Sequence, residues 1–185
     1  MRRFRPEEEA GILAAIIESS DDAIFTKDLE GLILSWNPAA ERLYGYNAEE
    51  VLGRSTSVLL PADRRDELAT ILERITGGQR VEWHETVRQA KNGRLIEVSL
   101  TVSPIRDAAG HVIAAAAIAR DLTARKRAEA RWRSIIESAV DGIVVIDARG
   151  SIEAFNPGAE RLFGYAEREV VGRNVNLLMP SPYHE

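Results

Sequence analysis

The sequence predicts an α+β domain built on a five-stranded antiparallel sheet with helices on one face. The order of elements is the first reason, because two short strands, several helices and then three more strands favour a layered α+β architecture. A recurrent turn pattern is the second. Asp and Gly stand three positions apart at Asp28–Gly31, Asp107–Gly110 and Asp147–Gly150. This spacing suits a type I turn leading into a bulge, so it indicates antiparallel hairpins.

A long internal repeat organises the chain. The stretch 16–61 returns without a gap as 135–180, at an offset of 135 − 16 = 119 residues, and roughly half of the paired positions are identical. A repeat of this length indicates two copies of one structural unit. The expected organisation is an N-terminal cap helix (1–19), a complete first domain (20–123), a linker signalling helix (124–139) and the truncated N-terminal half of a second domain (140–185).

Composition limits the classes of function. The formal net charge of −5 argues against a general nucleic-acid-binding surface. No apolar run approaches the ~18 residues of a membrane span, and the first residues do not resemble a secretory signal. The sequence contains no cysteine, which excludes disulfides, thiolate metal sites and cysteine adducts. We therefore expect a cytoplasmic protein that contacts neither a membrane nor nucleic acid directly.

The first element is a helix over residues 6–19. Pro6 suits the first helical turn, and the three glutamates that follow it favour the positive end of the helix dipole. The apolar positions at helical spacing are Ile12, Leu13, Ile16 and Ile17. The helix is a cap packed on its own domain or a dimerisation helix, and the two interpretations are compatible.

Two strands and two short helices follow. The strands are expected at 23–27 and 32–36. Asn37-Pro38 provides an N-cap and a first-turn proline, so a helix begins there, and Gly45 ends it. The stretch 47–50 has the pattern of a capping box for a second short helix.

A longer helix is expected from Pro61 to Gly77-Gly78, and after it come the remaining three strands. These strands are expected at 80–90, 96–102 and 111–121. Strict alternation in the first of them divides its residues between two faces. The apolar face holds Val81, Trp83 and Val87, and the polar face holds Glu82, His84, Thr86 and Arg88. In the last strand, the small side chains of 114–117 allow a close approach by the N-terminal helix or by a ligand, and we favour the helix.

The sheet is followed by a helix with a short coiled-coil-like seam. Its apolar residues step by four, three and four positions. They are Ala128, Trp132, Ile135 and Ala139. Together with the N-terminal helix, this linker predicts a homodimer.

These motifs resemble the PAS domain of the S-box type with its C-terminal PAC segment. The resemblance rests on N-P-A-A-E-R-L-Y-G-Y-x-x-E-E-V-L-G-R at 37–54, the K-N-G hairpin at 91–93 and the closing A-R-D-L-T at 119–123. It covers residues 13 to 124 completely, and 156–173 in the second copy resembles the first half of another such domain. The resemblance implies the PAS fold.

The implied function is a sensory module that detects a small ligand or partner and relays it through helices to a downstream output domain or kinase. The leading interpretation is the input part of a two-component sensor histidine kinase. The alternatives are a ligandless dimerisation or interaction module, or the input part of a cyclic-dinucleotide enzyme or transcription regulator. Within these residues we expect no catalytic activity, because the sequence has no Walker loop, HExxH or G-x-S-x-G motif, and its three histidines are scattered.

The cofactor stays unknown at this stage. The segment 173–185 resembles the haem PAS domain of FixL-type oxygen-sensor kinases, whose proximal histidine lies on the next helix, later than His184. Haem is therefore expected only if the second domain continues beyond Glu185, and the first copy has no histidine at 64–75. Cysteinyl-flavin chemistry is excluded, because the sequence at 53–57 has no cysteine. His84 and His111 are interpreted as ordinary surface or sheet residues, and no metal site is expected.

A ligand cavity is expected between the sheet and its helices. The candidate lining residues are Phe25, Trp36, Leu43, Tyr44 and Leu100. Large inward-pointing side chains among them would favour the ligandless interpretation.

Overall fold

A computed structural model describes residues 5–179, except for the side chain of His84. The chain divides into two compact units, which meet between Ala124 and Arg125. The first contains α1 (Pro6–Ser19), β1 (Ala23–Lys27), β2 (Ile33–Trp36), α2 (Pro38–Tyr44), α3 (Ala48–Val51), α4 (Asp66–Thr76), β3 (Val81–Gln89), β4 (Leu95–Arg106) and β5 (Val112–Asp121), with 3-10 turns at Thr56–Leu59 and Ala62–Arg64. Then come α5 (Thr123–Ser138), β6 (Val144–Ile146), β7 (Ile152–Phe155), α6 (Pro157–Phe163), α7 (Glu167–Val170) and a 3-10 turn at Val175–Leu178.

The five strands of the first unit form one sheet in the order β2-β1-β5-β4-β3. Every neighbouring pair is antiparallel, as the sequence predicts. β5 lies at the centre, and its buried alanines contribute to the core together with apolar residues of α2, α3 and α4. The predicted fold class, α+β with a five-stranded antiparallel sheet, is therefore confirmed.

The Asp-x-x-Gly segments form the predicted bulged turns. In the first, Asp28 Oδ1 accepts hydrogen bonds from the amides of Glu30 (3.0 Å) and Leu32 (2.7 Å), and Gly31 has a φ of 88°. A β-bulge lies between Thr26 and Lys27. The turns at 107–110 and 147–150 repeat the same aspartate bonds and the adjacent bulge. Local turn chemistry therefore sets the hairpin registers.

A second irregularity, in β3, overturns the predicted alternation of that strand. The register against β4 shifts between Trp83 and Thr86, so one residue is inserted into the pleat. Such a bulge moves the following side chains to the opposite face. Thr86 and Arg88 are buried, while Val87 is only partly buried. The predicted assignment of Thr86 and Arg88 to a polar outer face was wrong.

The small side chains of β5 do not receive the N-terminal helix, so that expectation was also wrong. None of the residues of α1 is buried. Ala115 and Ala117 are buried on the core side instead, where Ala117 pairs with Phe25 of β1 and with Val102 of β4. The small side chains leave room for the larger core residues of the neighbouring strands.

The long helix also begins later than predicted. Pro61 has an extended backbone, with φ −57° and ψ 154°, and a 3-10 turn over Ala62–Arg64 follows it. The α-helix α4 starts at Asp66 and places Ile71 and Ile75 in the core.

The second unit contains a two-stranded antiparallel sheet, β6-β7, as the sequence predicts for this half-domain. Its core is small and comprises Ile152, Phe155, Ala159 and Val170. Large apolar side chains such as Leu162 and Val171 are exposed on it. His184 and the motif at 180–185 lie outside the described residues.

Candidate functional site

A small cavity lies between the sheet and the helices of the first unit. Its lining comes from β1, β3, β4 and β5 on one side and from α4 and the 3-10 segment on the other. The lining residues are Phe25, Lys27, Thr56, Leu59, Leu60, Leu68, Ile71, Arg88, Leu100, Val102 and Ala117. Its volume is about 20 Å³, which is room for one or two water molecules.

The five residues proposed from the sequence divide around this cavity. Phe25 and Leu100 line it. Trp36 and Tyr44 form an aromatic cluster with Phe25, with ring centroids 5.1 Å apart for Phe25–Trp36 and 5.5 Å apart for Trp36–Tyr44. Leu43 is partly buried and lines a separate surface groove with the 90–94 turn. Burial raises the pKa of the Tyr44 hydroxyl far above its usual range, so this group stays neutral.

Two buried cations face the cavity, and the sequence did not single out either of them. Lys27 is 3% exposed and Arg88 is 4% exposed. Arg88 Nη1 lies 2.9 Å from Glu67 Oε2 and donates to Thr86 Oγ1 at 3.1 Å. Desolvation, with a smaller contribution from the positive charge of Arg88, lowers the pKa of Lys27 to about 8.

Two buried polar atoms of this site lack a hydrogen-bond partner among the described residues. They are Arg88 Nη2 and Thr56 Oγ1. Buried donors and acceptors are nearly always paired in native proteins, so such atoms require an explanation. A local sequence signal for Arg88 does not exist, because a bulge two to five residues earlier turns it inward. Lys27 could have been found by comparing the copies, since Ile146 occupies its repeat position.

The first unit does not fit haem or flavin. Ligand pockets for such molecules measure roughly 300 Å³ or more, far above the volume of this cavity. The residues that α4 contributes to the lining are Leu68 and Ile71, which offer no axial ligand. Within residues 5–179, no cluster of histidine and carboxylate side chains could hold a metal ion.

A second feature of the site is the junction between α1 and the domain, formed by Asn37. Its Oδ1 accepts hydrogen bonds from the amides of Ala40 (2.8 Å) and Ile24 (2.9 Å). Its Nδ2 donates to the carbonyls of Ile17 (3.0 Å) and Asp22 (3.1 Å). One buried side chain thus joins the end of α1, the start of β1 and the start of α2.

The second copy repeats this junction at Asn156. The side chain accepts from the amides of Ala159 and Ile143 at 2.8 and 2.7 Å, and donates to the carbonyls of Ile136 and Asp141, both at 2.9 Å. The sequence predicted the N-cap role of both asparagines but not their bonds to the preceding helix. Those bonds span 20 residues of sequence, so helix-capping rules could not reveal them.

The two ends of the first unit are also connected. Asp22, just before β1, forms a bidentate ion pair with Arg120 near the end of β5, with distances of 3.0 and 2.8 Å. Asp121 Oδ1 accepts from the amide of Thr123 at 2.7 Å, where α5 begins. The helix that leads into the sheet and the helix that leaves it therefore attach to adjacent strand ends.

The geometry defines a small α+β domain with a polar internal cavity and a helix attached at each end. The family model for the PAS fold matches residues 11–122 and again 130–185. The chain therefore belongs to the PAS family.

Its relatives include bacterial sensor kinases. The chain is 31% identical over 166 residues to Sensor protein FixL of Bradyrhizobium diazoefficiens, which covers 84% of this chain and 32% of that protein. It is 34% identical over 118 residues to the signal transduction histidine-protein kinase AtoS of Escherichia coli, with 63% and 19% covered. The chain thus spans about a third or less of the length of these relatives.

A solved domain of a sensory box sensor histidine kinase/response regulator from Geobacter sulfurreducens has the same fold. It matches with a TM-score of 0.54 at 29% identity, over 63% of this chain and 97% of that chain. The segment is therefore a PAS sensor domain homologous to those of sensor histidine kinases. Within the described part of the chain, no helix is long and apolar enough to cross a membrane.

Proposed function

We propose that this chain is the cytoplasmic input part of a two-component sensor histidine kinase. The first domain (20–123) would detect a small ligand or a partner, and the linker over 124–139 would relay the change to the output. The observation that carries this proposal is the junction at Asn37, because it ties the end of α1 to both strands and helices of the domain core. Catalysis would belong to the output domain, not to these residues.

The relay would depend on two states of the helices relative to the sheet. A ligand can shift such an equilibrium only by the difference between its affinities for the two states. Occupation of the cavity would change the packing of β1 and β5, which carry Asp22 and Arg120 near their ends. The starts of β1 and α5 would then move together, and this movement is the coupling between cavity and output.

The helices would also hold two copies of the chain together. Leu13 and Ile16 of α1 are 61% and 59% exposed, and Trp132 of α5 is 63% exposed. They belong to apolar stripes at helical spacing, and a second copy of the same helix offers a complementary stripe. We propose a homodimer that buries these residues, so that the output receives two parallel linkers.

A ligandless interaction domain is the second candidate. The small volume of the cavity favours it, since Phe25, Trp36 and Tyr44 pack against one another instead of enclosing a large space. In that case a partner protein, not a ligand, would bias the helices. The input role within a cyclic-dinucleotide enzyme or a transcription regulator differs only in the output domain.

A chimaeric kinase tests the proposed relay. Residues 1–138 are fused to the catalytic core of a histidine kinase so that α5 continues into its dimerisation helix, and autophosphorylation is measured. Insertion of one to about seven residues after Ser138 should change the activity with the coiled-coil period. Asn37→Asp should abolish that regulation, while Asn156 is outside the fused segment. Activity that is indifferent to both changes would contradict the proposal.

A further inference from the structure

The cavity of the first unit carries positive charge that the surrounding residues do not balance. Lys27 from β1 and Arg88 from β3 are each more than nine-tenths buried and line the same small space. Glu67 forms an ion pair with Arg88. Among the described residues, no carboxylate lies within ion-pair distance of Lys27. A buried charge without a counter-charge is costly, so the site is suited to receive an anion.

The hydrogen-bonding groups of the site are also incomplete. Arg88 Nη2 and Thr56 Oγ1 are buried without a partner within residues 5–179. Together with Lys27 Nζ, they provide donors from three separate elements, namely β3, the 3-10 segment and β1. A bound oxyanion would accept hydrogen bonds from all three groups.

The repeat indicates that the fold itself does not require these polar groups. At the offset of 119 residues, Ile146 corresponds to Lys27 and Val175 corresponds to Thr56. The second copy therefore has apolar side chains where the first has an ammonium group and a hydroxyl. Because the two copies share the same local fold, the polar residues of the first copy serve a role that the second does not have.

We propose that the cavity of the first unit binds a small planar oxyanion of three or four heavy atoms, such as formate or nitrate. The flat guanidinium of Arg88 matches a planar oxyanion, and its Nη2 is the free donor. The cavity volume of about 20 Å³ limits the ligand to this size class. The proposal rests on the sensory function proposed above only for its signalling consequence; binding itself is tested independently.

Trp83 provides a reporter for this site. The Arg88 guanidinium carbon lies 5.5 Å from the centroid of the Trp83 ring, in cation–π geometry. An anion bound to Arg88 changes the field at the indole ring. Its binding should therefore alter the tryptophan emission of the protein.

The test is a titration of the 185-residue protein with sodium formate and sodium nitrate. Ionic strength is held constant with a bulky sulfonate, and formamide serves as the neutral analogue of formate. A ligand of so few atoms should bind in the millimolar range. We expect a saturable change in tryptophan emission and a higher thermal unfolding midpoint with the anions, and neither with formamide.

Variants locate the site. Lys27→Met should weaken anion binding by about tenfold or more, and Thr56→Val by a smaller factor. Lys126→Met, on α5, keeps the same charge change away from the cavity and should bind like the unmodified protein. Circular dichroism confirms that each variant is folded, and Thr56→Val keeps the test decisive should Lys27→Met fail to fold.

Three results would overturn the proposal: no saturable response in the folded protein, an equal response in Lys27→Met, or an equal response to formamide. If anion binding is absent while the chimaeric kinase still depends on Asn37, the cavity proposal fails and the sensory function stands. If the anions bind at Lys27 but the chimaera shows no regulation, the sensory function fails and the binding site remains.

Discussion

Neutralising the buried ammonium group of Lys27 should stabilise the protein. Burial lowers its pKa from 10.5 to about 8. The difference of roughly 2.5 pK units, at 1.36 kcal/mol per unit, corresponds to about 3 kcal/mol as an order of magnitude. Lys27→Met retains the aliphatic length of the side chain and removes the charge. At about pH 7, its free energy of unfolding should exceed that of the unmodified protein by up to this amount.

The stabilisation should depend on pH with a definite sign. Between about pH 8 and pH 10.5, the unfolded chain holds the Lys27 proton and the folded protein does not, so the free energy of unfolding rises with pH. The advantage of Lys27→Met is therefore full below about pH 8 and shrinks as the pH rises toward the unfolded value. Subtracting the two proteins' curves isolates Lys27, because the other groups are common to both.

Urea denaturation measures this difference. Trp36 and Trp83 belong to the first unit, so the fluorescence transition follows the domain that contains Lys27. Lys126→Met is the matched control and should show no pH-dependent difference. A Lys27→Met protein that is less stable than the unmodified protein at neutral pH, or equally stable at all pH values, would refute the account of an uncompensated buried charge.

Other predictions concern the helix junctions and the dimer. Asn37→Asp keeps the N-cap acceptor but replaces the donor to the Ile17 carbonyl, so the unfolding free energy should fall by about 2 to 4 kcal/mol in urea titrations; an unchanged midpoint would contradict the junction. Ile16→Glu should convert a dimer into a monomer in size-exclusion chromatography with light scattering, and an unmodified protein that is already monomeric at high concentration would refute the proposed interface. Arg120→Leu removes an exposed ion pair with Asp22, so the urea midpoint should stay unchanged while regulation of the chimaeric kinase weakens; regulation equal to that of the unmodified chimaera would argue against coupling through this pair.

The elements that the sequence predicted well are those set by nearby residues. The aspartate of each Asp-x-x-Gly turn bonds to amides two and four positions later, so its effect can be inferred from a short window. The N-cap of α2 is equally local, since Asn37 bonds to the amide three residues later. These features fixed the hairpins and hence the antiparallel sheet.

The polar character of the cavity could not be predicted in the same way. Arg88 reaches the core only because the bulge after Trp83 reverses the side-chain alternation, and nothing in the surrounding residues marks that bulge. Lys27 stands at the end of a strand, where a lysine usually reaches solvent. The aromatic residues chosen from the sequence were placed near the cavity by their size, but their packing against one another depends on strands that are distant in sequence.

Hydrogen–deuterium exchange on the unmodified protein and Lys27→Met tests most directly whether the cavity communicates with the helices. We expect exchange to change beside Lys27 and also at the junctions, in the last turn of α1 and at the first amides of α5, while the body of β4 stays the same. A change confined to the cavity-lining residues, with both junctions unaffected, would contradict the proposed relay.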